Sequence, residues 1–137
     1  MSADAALQAA ILAHLAADAD VLSQLGDPPR LHDRAPGGAA FPYVSLGRAE
    51  SRPVDGDEAR LGEHRLTLHV WSRNHDFAEV KAITGAVSAA LHNASLTLAA
   101  PFTGILCQAV YTDVFDGADG RSVHGLVRVR VLVAAQQ

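Results

Sequence analysis

The chain has 137 residues, a formal net charge of −4, one cysteine and only 5% aromatic residues. That length suits one domain with a core that needs no staples. The acidic balance argues against a dedicated nucleic-acid binder, which carries a basic patch. The lone Cys107 excludes an internal disulfide and points to cytosolic residence. No apolar run approaches the ~20 residues that span a bilayer, and Asp4 stands where a secretory leader would be basic.

The spacing of Leu7, Ile11, Leu15, Leu22 and Leu25 predicts one helix over residues 3–25, with Ser2 or Asp4 as cap. Gly26 and Pro28-Pro29 stop it. A short extended piece from Arg30 to Arg34 and a turn at Ala35-Pro36-Gly37-Gly38 follow. Phe41 to Arg48 reads as a strand, with Pro42 marking its start or a sheet edge. Residues 49–62, AESRPVDGDEARLG, are the most polar stretch and are expected to form a mobile loop between strands. The next strand ends in Trp71-Ser72. Leu66, Leu68 and Val70 fall on one face, and Arg65, Thr67, His69 and Trp71 on the other.

Asp76 or Asn74 then caps a second helix, in which Phe77, Val80, Ile83, Val87 and Leu91 form an apolar stripe. Gly85 in that helix either marks a tight helix–sheet contact or is simply tolerated. Ser95 to Leu98 is read as an optional short strand, and Ile105 to Phe115 as a long one. The Asp116–Gly120 segment holds two Asp-Gly-type turn signals. In the last strand, Ser122 to Ala134, the valines at 123, 127, 129, 131 and 133 share one face, and His124, Leu126, Arg128, Arg130 and Leu132 share the other. The order α-β-β-β-α-β-β implies an α+β fold: a two-layer sandwich in which two helices cover a mostly antiparallel sheet of four or five strands, in a single domain over 1–137.

No catalytic constellation appears. His64 and His69 fall on opposite faces of their strand, and no HExxH, CxxC, GxSxG, Walker or GxGxxG pattern occurs. The Asp113–Gly120 stretch fails the calcium-loop spacing and reads as a hairpin turn. Cys107 sits mid-strand as a small core hydrophobe. No metal and no cofactor is expected. What remains is a surface. Leu126, Arg128 and Arg130 mix charge with leucine opposite the valine face, as interfaces do, and Trp71 beside His69 lies on a non-core face. Arg52, Asp57 and Arg60 in the polar stretch are the other candidate contact residues.

The strand into Val70-Trp71-Ser72, the helix from Phe77 to Leu91, the Pro42-Tyr43-Val44 step before a polar loop, and the final hairpin with Asp116-Gly117 and Val127-Arg128-Val129-Arg130-Val131 together resemble one family. It is the tail-completion, or tail-terminator, proteins of long-tailed phages, with relatives in gene transfer agents and prophage remnants. The resemblance runs from the first helix to the end of the chain. It implies an α+β subunit, without an active site, that forms a ring with itself, commonly a hexamer. The ring caps the head-proximal end of the tail tube, stops its polymerisation and meets the neck or connector protein. DNA passes through the lumen without specific binding, and an acidic subunit suits that passage. No membrane is involved; assembly in the bacterial cytoplasm precedes residence in the particle. Two other readings stand beside it: a different neck or tube component of the same assembly, and a cytosolic small-molecule-binding or enzyme domain, which would need a concave polar pocket.

Overall fold

The computed structural model describes residues 1–54 and 60–135. Its first departure from the periodicity is at Asp18, whose carboxylate accepts hydrogen bonds from the N–H groups of Asp20 and Val21, both at 3.0 Å. Short acceptor side chains at this position satisfy the free donors of a first helical turn. The run expected as one helix therefore breaks into α1 (Ala3–Ala16) and α2 (Ala19–Leu25), bent by 81°. The bend lets Val21 and Leu25 reach the same core as Leu7, Ile11 and Leu15. Ser2 caps α1 by accepting from Ala5 N–H at 3.1 Å. Gly26 ends α2 at φ +91°, a conformation that favours glycine.

The strands are β1 (Leu31–His32), β2 (Tyr43–Pro53), β3 (Arg60–Ser72), β4 (Phe102–Asp116) and β5 (Val123–Ala135), with α3 (Ala78–Leu91) between β3 and β4. Among the described residues they form one sheet of order β1-β2-β3-β5-β4. Only the short β1–β2 pair is parallel. The α+β, mostly antiparallel architecture is thus the one expected, with three helices in place of two.

Several segments differ in detail. The polar stretch 49–62 is strand at both ends, since β2 runs to Pro53 and β3 starts at Arg60, while residues 55–59 lie outside the described residues. Ser95 to Leu98 forms no strand; Leu96 buries its side chain instead, and its carbonyl would lie 3.3 Å from a Cβ at Gly104. Phe77 is not part of the apolar stripe. It precedes α3 and is 36% exposed, while Asp76 accepts from Ala78 N–H at 2.9 Å.

One face of the sheet is covered. Leu66, Leu68, Val70 and the valines of β5 lie under Val80, Ile83, Val87 and Leu91 of α3, with α1 and α2 closing the side. Gly85 is not the tight helix–sheet contact, because a Cβ there would meet nothing within 4 Å. The close approach is at Gly125 of β5, where a Cβ would run into the Thr84 hydroxyl and lie 3.2 Å from Val70 and Val80. Two part-buried hydrogen bonds tie α1 to its neighbours: His14 Nε2 donates to the Ala90 carbonyl of α3 at 2.8 Å, and His64 Nδ1 of β3 donates to the Asp4 carboxylate at 2.9 Å. No single helix among the described residues is long and apolar enough to cross a membrane.

Candidate functional site

The helices leave the other face of the sheet open, and pairing register decides what gathers on it. Tyr43 lies opposite Trp71, Trp71 opposite His124, and His124 opposite Phe115, so one band of rings crosses β2, β3, β5 and β4. The Trp71 indole stacks on the His124 imidazole with ring centres 3.9 Å apart and planes at 14°. His69 Nδ1 and His124 Nε2 stand 2.8 Å apart, so one imidazole donates and the other accepts. Trp71 Nε1 donates to Ser45 Oγ at 3.3 Å. Gly47 is required beside this pair, because a Cβ there would overlap the His69 ring. Burial lowers the pKa of both histidines below the usual imidazole range, and the charge of His69 lowers His124 further. Both rings are therefore held neutral near pH 7.

Towards the other end of β3, on the same face, is a charge cluster. Glu63, at the start of the same face, is almost wholly covered, with its carboxylate 2.8 Å from Arg130 Nε and 3.2 Å from Arg52 Nε and Arg65 Nε. The Arg130 hydrogen bond above all, then that of Arg65 and the charges of Arg52 and Arg65, hold this carboxyl at about 2 against the opposing effect of desolvation. One ionised carboxylate thus organises three guanidiniums. Arg128, further along β5, is exposed and sits 4.8 Å above the Tyr111 ring.

The structure brings most of the sequence-predicted residues together. His69, Trp71, Leu126, Arg128, Arg130 and Arg52 all lie on the open face, with His69 opposite Leu126 and Thr67 opposite Arg128. Arg60 does not join them. Its place at the start of β3 puts it over a hollow at the rim of the covered face, with Ser2, Asp4 and His64. Asp57 lies outside the described residues. Sequence reasoning missed Glu63, Tyr43, Ser45 and Phe115. Their period-two placement was visible, but the register that unites them was not.

The arrangement offers binding more than chemistry. Cys107 is 2% exposed, and burial raises its thiol to about 11, which leaves no thiolate nucleophile. The paired imidazoles face each other and an indole; among the described residues no group of three or more His, Cys, Asp or Glu could hold a metal ion. Rings, guanidiniums and a half-exposed leucine share one face of the sheet, a composition that contact surfaces have.

No curated protein sequence matches the chain. Among solved structures, a chain of the "Virion of native gene transfer agent (GTA) particle" matches at a TM-score of 0.87 and 26% identity, covering 98% of both chains. The gp17 protein of bacteriophage SPP1 matches at a TM-score of 0.58 and 23% identity, covering 98% of this chain and 91% of that one, a likeness of fold. The pattern of the tail completion protein gp17 family matches residues 9–134, so the chain belongs to that family.

Proposed function

We propose that this chain is the tail terminator of a phage or gene-transfer-agent particle. It is a structural subunit that forms a ring, commonly of six copies, at the head-proximal end of the tail tube. The ring halts tube polymerisation and presents its other end to the neck or connector protein. A head-to-tail cyclic contact closes on itself and leaves two unlike ends, which is what such a joint needs. Function then comes from shape, without catalysis, and DNA crosses the lumen without specific contacts. Subunits would be made in the bacterial cytoplasm and end in the particle.

The observation that carries this reading is the match of nearly the whole fold, over 98% of both chains, to a chain of a gene-transfer-agent virion. The open face supports it: Trp71, His69 and the guanidiniums around Glu63 give the subunit a surface to bind with. The test is light scattering on purified protein, alone and with the tail-tube subunit of the same particle. A closed oligomer that binds the end of assembled tubes and caps their length is the expected result. A chain that stays monomeric and associates with neither tube nor connector protein would overturn the reading.

A further inference from the structure

The sheet ends on two margins that the fold leaves only partly covered. On one side β4 (Phe102–Asp116) pairs with β5 as its only neighbouring strand among the described residues. The segment after α3 lies against the first half of its far edge, where Asn93 N–H donates to the Cys107 carbonyl at 2.8 Å and Leu96 packs by Gly104, so the edge is open from Gln108 onward. An open edge presents unpaired N–H and C=O groups, and proteins blunt such edges with charge, proline or cover. β4 contains no proline and no charge before Asp113. Its two irregularities place apolar side chains outward: Ile105 is 56% exposed, Val110 is 50% exposed, and Tyr111 follows at 44%. On the other side β1 covers β2 only at Val44 and Ser45. From Gly47 to Pro53 β2 is exposed, and it carries Arg48, Glu50 and Arg52.

These margins fit each other. β2 runs antiparallel to β3, β3 to β5, and β5 to β4, so β2 and β4 point in opposite directions. Rotating a copy about an axis along the strands keeps every direction. It therefore brings β4 of one copy beside β2 of the next as a further antiparallel pair. Following the register across the sheet, Tyr111, Arg128, Thr67 and the bulge between Leu46 and Ala49 share one level. At that level the Val110–Tyr111 step would face Arg48. β4 on β4 would close a two-fold dimer, whereas β4 on β2 is the unlike, head-to-tail pairing that a ring needs.

We propose that a second copy of this chain covers the β4 edge. Residues 108–112 of β4 in one subunit pair with residues 46–50 of β2 in the next, so that the sheet continues from subunit to subunit. This contact rests on the ring reading above and assigns its interface. The test is a double variant, Val110→Cys with Arg48→Cys, oxidised and run on a denaturing gel, with each single variant as control. The buried Cys107 stays silent in all three. A ladder of covalent oligomers in the double variant, against dimers at most in the singles, is the expected result. Oligomers by light scattering without a ladder would overturn the edge contact and leave the ring intact. A wild type that stays monomeric even with tube subunit would overturn both. Val110→Arg gives an independent check, since Val110 is outside the core: a folded chain with wild-type circular dichroism and no assembly supports the contact, and wild-type assembly overturns it.

Discussion

His69 and His124 show how far a single pair can be read. Their ring nitrogens stand 2.8 Å apart, an arrangement that holds one shared proton and strains with two. Burial lowers both pKa values, so below about pH 6.5 the unfolded chain binds more protons than the folded one. Stability from this pair is therefore present at neutral pH and lost as pH falls through the imidazole range. Thermal unfolding of the wild type should drop more steeply between pH 7.5 and 5.5 than that of His124→Gln; equal drops would exclude the pair as the cause. Gly125 is the second informative residue. A methyl there enters the Thr84 hydroxyl and crowds Val70 and Val80, so Gly125→Ala should cost about 1–3 kcal/mol in chemical denaturation, as overpacking of a filled core does. The same change at Gly85, where a Cβ meets nothing and alanine favours helix, should be neutral or stabilising.

Among the elements, the amphipathic ones were legible and the joints were not. The alternation in β3 and β5 and the stripe of α3 place their core residues correctly because burial enforces a fixed period on each. The break between α1 and α2 was hidden because the alanine-rich run around it carries no glycine or proline, and Asp18 reads equally well as a solvated helix residue. Only the requirement that Val21 and Leu25 meet the shared core selects the cap. Asp18→Ala should therefore destabilise the fold by about 1 kcal/mol and fray α2 first, with hydrogen exchange rising at Asp20 and Val21 while α3 keeps its protection. The polar stretch 49–62 was misread for a related reason. Charged residues with Pro53 look like loop, yet β3 and β5 supply a sheet long enough to carry the strands out to Pro53 and Arg60.

At the scale of the whole molecule, the helix layer spends its apolar surface on one face of the sheet and leaves the other face and part of each margin exposed. That asymmetry gives an otherwise featureless acidic domain two unlike edges, as a closed cyclic assembly requires. It also places the candidate contacts in two sets. The rings around Trp71 and the guanidiniums around Glu63 are held by their own partners within the subunit, so they form a preset surface. Ile105 and Val110 are exposed at 56% and 50% without such support, so assembly has more to gain by covering them.

The sequence by itself determined most of the apolar core of β3, α3 and β5, because period two and period 3.6 are local consequences of backbone geometry. The α+β class and the structural family were also legible, since the strand into Trp71, the helix after it and the final hairpin are local patterns. Tertiary structure alone decided that β5 lies between β3 and β4, that His124 stacks on Trp71 across strands far apart in sequence, that Glu63 gathers Arg52, Arg65 and Arg130, and that β4 is left at an edge. The physical reason is that strand order and register are set by the competition of whole elements to cover one apolar face, a condition that no single segment encodes.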